Sequence, residues 1–147
     1  VRIGPTGKCF DNALDEFQRL VKEDKKRQWT NEYVMAHGIL IHEDTGERYA
    51  HAWLEANSSC FDFGIVLDGE HAGEFCCYEV EKTDYYRGRQ VVDVTFYTWN
   101  DAKRWNMLTN HFGPWLPKYR ELCKDIKQAR ERARKNEANT KNNRQAN

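Results

Sequence analysis

The segment that most restricts the fold is Arg48 to Gly64, which reads as two strands joined by a polar turn. On the first, Tyr49, His51, Trp53 and Glu55 share one face, while Ala50, Ala52 and Leu54 take the other, because successive strand side chains point to opposite sides. Asn57, Ser58 and Ser59 carry turn chemistry, and Cys60 to Val66 is a second β-rich run. A loop over Ala56 to Ser59 sets Glu55 opposite Cys60 and Trp53 opposite Asp62. His51 then lies on the diagonal to Asp62 on the same face, roughly 7–8 Å away between backbones, a gap that long side chains close. A histidine steered by a carboxylate is half of a nucleophilic site, and the other half must come from elsewhere in the chain.

A helix is predicted over about Cys9 to Asp24, with Ala13, Leu14, Phe17, Leu20 and Val21 as its apolar stripe. Val1 to Gly7 reads as a loop broken by Gly4, Pro5 and Gly7. Glu32 to His42 is a strand, and the loop Glu43 to Glu47 makes Arg48 to Glu55 antiparallel to it. Glu74 to Val80 supplies a fourth strand, Tyr85 to Gly88 a turn, and Gln90 to Tyr97 a β-branched fifth strand. Thr98 is placed to cap a helix to Thr109, with Asp101 at its third position. Asn110 to Pro117 is a rigid loop. Leu116 to about Asn136 is helical, and the Asn-, Lys- and Gln-rich end is expected to fray. The expected fold class is α+β: an N-terminal helix packed on an antiparallel sheet of about five strands, with C-terminal helices. Residues 1–117 form this α+β domain and 118–147 a basic C-terminal helix with a frayed tail.

Cys9 falls at a helix N-terminus after a glycine-rich approach. Free N–H groups and the helix dipole there activate a thiol and can hold an oxyanion. It is the cysteine placed for reactivity; Cys60, Cys76, Cys77 and Cys123 read as packing thiols. The order Cys9, His51, Asp62, with the first on a helix and the others on neighbouring strands, resembles that of the transglutaminase-like and papain-like thiol enzymes. Gly7-Lys8-Cys9-Phe10-Asp11-Asn12-Ala13-Leu14 looks like the cysteine helix of that superfamily, and His51-Ala52-Trp53-Leu54-Glu55 looks like its histidine strand. Phe61 to Gly64, Tyr85-Tyr86 with Gly88, Tyr97-Thr98 with Ala102, and Thr109 to Trp115 resemble small uncharacterised bacterial and phage proteins of that type. The resemblance spans roughly Gly7 to Leu116. It implies a Cys9 nucleophile, a His51 base and an orienting Asp62; no cofactor is expected, and the cysteines lack metal-ligand spacing. In one respect the chain departs: the family's aspartate is often followed by Pro-Thr, and here Phe63-Gly64 follows. Asp93, within Val91 to Thr95, is the runner-up third member. Asn12, Trp53, His111 and Trp115 are the candidate substrate-binding residues. His37 and His42 read as strand residues.

These residues support a thiol-dependent hydrolase or acyl transferase acting on an amide, isopeptide or ester carbonyl of a protein or peptide. The alternative is a non-catalytic binding or inhibitor module that uses the aromatic loop around Trp115 or the basic tail. A zinc site of Cys9, His51 and an acid has one sulfur ligand and no paired spacing. The five cysteines are odd in number, with Cys76 and Cys77 adjacent and no CxxC, which argues for a reducing, cytoplasmic compartment over a disulfide framework. A start at Val1 leaves room for a removed leader, and so for secretion. No apolar run reaches the roughly 20 residues that span a bilayer. The chain sums to zero charge, yet residues 118–147 hold ten Lys/Arg against four Asp/Glu. The tail is thus +6 and the rest −6, a weak pointer to an anionic partner for the tail.

Overall fold

Phe10, Ala13, Leu14 and Phe17 recur at the spacing of one helix face, and all four are buried. They lie on α1 (Cys9–Arg27), in a computed structural model that describes residues 3–4 and 8–146, with side chains from Lys8 onward. The helix runs three residues beyond the expected Asp24, because Lys25, Lys26 and Arg27 are good helix formers and their charges suit a C-terminus. It stops where Gln28 takes a left-handed φ of 58° and returns its N–H to the Asp24 carbonyl. Each large side chain buried on this face contributes about 1.5–3 kcal/mol as an upper estimate.

Among the described residues six strands form one antiparallel sheet: β1 (Ile3–Gly4), β2 (Val34–Ile41), β3 (Arg48–Ala56), β4 (Ser59–Val66), β5 (Phe75–Glu81) and β6 (Asp93–Tyr97). The order is β1-β4-β3-β2-β6, with β5 also on β4. The hairpin register is the expected one, Glu55 opposite Cys60, although Ala56 pairs with Ser59 and the turn tightens to Asn57-Ser58. Asn57 takes the left-handed φ of 56° that such a tight turn demands. Ile3 and Gly4 are a short strand on β4 where a loop was expected; the other residues of Val1 to Gly7 lie outside the described ones.

The core has two parts. α1, α3 (Trp99–Thr109) and the start of α4 (Pro117–Ala146) cover the sheet face that carries Met35, Ala50, Ala52, Leu54 and Phe63. The opposite face carries Trp53, Leu40, Ala36 and Cys60, and α2 (Lys82–Gly88) closes it through Tyr85. Thr98 caps α3 by accepting the Asp101 N–H at 3.2 Å, as its sequence position indicates. Two expectations fail. Tyr85 to Gly88, read as a turn, belongs to helix α2; its seven residues are too few to show a periodic stripe. The frayed end beyond Asn136 is helical to Ala146, since no glycine or proline interrupts the run.

Candidate functional site

The ladder between β3 and β4 holds only at Ala56↔Ser59, Glu55↔Cys60 and Leu54↔Phe61. β5 follows the opposite edge of β4 from Ser59 to Ile65, so β1, paired at Ile65 and Val66, occupies the same edge as β3. Between the two, Asp62 to Gly64 have no strand partner on that edge among the described residues. Cys9 opens α1, which covers one face of the sheet, and His51 lies on the other face of β3 beside this stretch of β4.

His51 points Nε2 at Asp62, 3.0 Å from Oδ1 and 2.9 Å from Oδ2. Cys9 is close enough to the same imidazole to help raise its pKa. With Nε2 committed to the carboxylate, Nδ1 is the nitrogen left for the thiol. Cys9 is half-buried at the first position of α1, where the backbone N–H groups of the opening turn have no intrahelical acceptor.

Asp62 is 1% exposed and takes more than the histidine. Tyr85 donates its hydroxyl to Oδ2 at 2.7 Å, Phe63 donates its backbone N–H to Oδ1 at 2.7 Å, and the Arg89 guanidinium stands 3.8 Å away. Burial would push this carboxyl up, but the His51 charge and these donors outweigh it and hold it below its ordinary value. Burial likewise opposes charge on His51; Asp62, then Cys9, outweigh it and raise the imidazole to about 10. The pair is an imidazolium and a carboxylate. Arg89 itself donates to the Tyr78 hydroxyl, which holds the guanidinium beside Asp62.

A second buried carboxylate supports the first. Glu55, 2% exposed, accepts the Trp53 indole N–H at 3.0 Å and the Tyr86 hydroxyl, and pairs with Lys82 at 3.1 Å. Trp53 stacks on His51 with ring centroids 6.1 Å apart and planes at 23°. Its ring tip rests on Gly38, where a Cβ would come within 2.5 Å of Cη2. The adjacent tyrosines of α2 thus divide their hydroxyls between the two acids, Tyr85 to Asp62 and Tyr86 to Glu55.

The structure pairs His51 with Asp62, and Cys9 is close enough to act on the His51 charge. Asp93 is elsewhere, 2.9 Å from Lys118 on β6, two strands from β3. Asn12 is half-buried one turn after Cys9. Trp53 is fully buried and walls His51, so it offers a substrate no surface. Trp115 is 3% exposed among His37, Tyr97 and Trp105, which makes it core; three aromatic neighbours outcompeted the surface position expected for a loop. His111 is exposed and organises its own loop: Gly113 donates to its Nδ1 at 3.1 Å, and Trp115 and Asn106 donate to its carbonyl at 3.0 and 3.1 Å. Cys77 is exposed, unlike the packing thiols Cys60 and Cys123, because β5 is an edge strand. Tyr85, Arg89 and Tyr78 were missed as site residues; the signal for Tyr85 was the Tyr-Tyr pair itself.

Among the described residues no group of three or more His, Cys, Asp and Glu clusters to hold a metal ion, and no helix is long and apolar enough to cross a membrane. The chain matches no protein-family model, no curated protein and no solved structure.

Proposed function

We propose that the protein is a thiol enzyme of transglutaminase-like or papain-like architecture that attacks an amide, isopeptide or ester carbonyl of a protein or peptide. The observation that carries this reading is His51, bound at Nε2 by Asp62 and close enough to Cys9 for the thiol to act on its charge. The Cys9 sulfur adds to the carbonyl carbon, and the oxyanion that forms is held by the N–H groups of the first turn of α1, with Asn12 the nearest amide side chain on that helix. The His51 imidazolium passes its Nδ1 proton to the leaving amine or alcohol as the carbon–heteroatom bond breaks, leaving a thioester on Cys9. Neutral His51 then takes a proton from water, for hydrolysis, or from an incoming amine, for acyl transfer. Asp62 holds the ring throughout, without itself moving a proton. Free thiols in the absence of a disulfide framework fit work in a reducing, cytoplasmic setting.

Mixing the protein with a p-nitrophenyl ester and quenching for intact-mass and peptide analysis tests this. The expected result is a transient acyl adduct on Cys9, absent in Cys9→Ala and much slower to form in His51→Gln. An adduct confined to Cys77, or none on Cys9, sinks the proposal.

A further inference from the structure

Beyond Ile126 the last helix leaves the body. Ile126 is its final partly buried residue, and residues 127–146 are exposed throughout. At 1.5 Å per residue this is about 30 Å of free helix. The segment carries Lys127, Arg130, Arg132, Arg134, Lys135, Lys141 and Arg144 against Glu131 and Glu137, a charge of +5 that leaves the rest of the neutral chain at −5. Lys127, Arg130, Arg134, Lys141 and Arg144 follow three- and four-residue spacing and its multiples, so they line one stripe about 26 Å long, which Glu137 shares between Arg134 and Lys141. Asn136, Asn139 and Asn143 recur at the same spacing on the other side, with Arg132 and Lys135 among them.

The chemistry of this helix narrows its partner. It holds no Leu, Ile, Val, Met or aromatic residue, so it has no anchor for an apolar protein groove and no face to bury in a bilayer. Guanidinium, ammonium and amide groups are what phosphodiester oxygens and base edges accept. We infer that residues 127–146 are a docking helix for nucleic acid, and that B-form duplex is the geometry they fit. A helix about 10–12 Å across enters a major groove about 12 Å wide. The cationic stripe faces one phosphate wall, and the amide side, with Arg132 and Lys135, faces the groove. The acidic body repels the same backbone, which confines contact to the projecting helix. This inference is independent of the thiol chemistry.

Fluorescence anisotropy of the full chain with a labelled duplex of roughly 20 base pairs, two helical turns, tests it. Binding is expected at low salt, with log K falling against log salt at a slope of about −4 to −5, from roughly five phosphate contacts. Arg130→Gln, Arg134→Gln, Lys141→Gln and Arg144→Gln combined should weaken binding at least about thirtyfold and flatten the slope to about −1. The control Lys25→Gln, Lys26→Gln, Lys103→Gln and Arg104→Gln, which removes exposed body cations, should change affinity by less than about threefold. Circular dichroism verifies that the glutamine variants keep the helix. No binding at about 50 mM salt, or an equal loss in the control, overturns the inference. Equal or tighter binding to anionic vesicles or to single-stranded RNA of the same length overturns the duplex assignment. Salt-sensitive self-association without duplex binding overturns it in favour of a second copy's acidic body.

Discussion

His51 presents a single nitrogen, Nε2, to both oxygens of Asp62, at 3.0 and 2.9 Å. Since the carboxylate is also held by Tyr85 and Phe63, it cannot follow the ring if the ring moves, and His51 is fixed in the orientation that keeps Nε2 on Asp62. Removing the carboxylate charge should therefore act at the thiol. Asp62→Asn is expected to slow iodoacetamide alkylation of Cys9 near neutral pH by roughly 10²-fold. The exposed Cys77, followed in the same digest, should react at an unchanged rate. Equal slowing at both cysteines would point to unfolding and remove the assignment.

The charges on this pair set a pH signature. The His51 pKa is raised in the folded protein, to about 10, so its contribution to stability is complete below the unfolded histidine value of about 6.5 and is lost as pH rises toward 10. Asp62 is lowered, so its contribution is present above the unfolded aspartate value of about 3.9 and is lost as pH falls through its folded value. Urea unfolding of the native chain against His51→Gln should give a large stability gap at pH values of about 5 to 6 that narrows steadily toward about 9 to 10. A gap that widens with rising pH would mean that His51 is held neutral.

His37 carries the opposite sign. It is fully buried in a box of Phe10, Tyr97, Trp115 and Tyr119, and neither ring nitrogen has a hydrogen-bond partner among the described residues. Burial lowers its pKa to about 3, so the folded state refuses a proton that the unfolded chain accepts below about 6.5. Stability is lost as pH falls through that window, by up to about 1.4 kcal/mol per pH unit. His37→Leu removes the titration and should flatten the acid limb between about pH 6 and 4. Parallel acid limbs for the two proteins would show that His37 has a proton-holding partner.

The sequence revealed the elements whose signals are local. The β3–β4 register followed from an alternating strand, a polar Asn57-Ser58 turn and a second β run, and it put His51 and Asp62 on one face. α1 and the Thr98 cap were legible for the same reason. Features set by tertiary context were not. Trp115 sits in a loop, where aromatic residues commonly face a ligand, and only packing against His37, Tyr97 and Trp105 decides that it is core. The pairing of β1 with the end of β4 rests on a two-residue strand too short to announce itself. Tyr85 and Tyr86 diverge to two different carboxylates because α2 lies flat on one face, which a seven-residue stretch cannot signal.

The last prediction concerns a residue with no side chain. Gly38 lies opposite His51 on β2, and a Cβ there would meet Trp53 Cη2 at 2.5 Å, Cζ3 at 2.9 Å and the Asp93 carbonyl oxygen at 2.8 Å. Neither neighbour can yield easily. The indole N–H is tied to Glu55 at 3.0 Å, and the carbonyl belongs to the β6 backbone that pairs with Ile39. Gly38→Ala should thus cost about 1–3 kcal/mol by overpacking, and any retreat of Trp53 should push the ring it stacks on, His51. Two readouts separate the effects: the urea midpoint reports the strain, and Cys9 alkylation, referenced to Cys77, reports the displaced imidazole. Trp53→Leu removes both crowded ring atoms, so in that background Gly38→Ala should cost distinctly less, leaving the clash with the Asp93 carbonyl. A double-mutant cycle measures this coupling directly. Additive costs within about 0.3–0.5 kcal/mol would mean that the indole is free to move and that Glu55 does not hold it against His51.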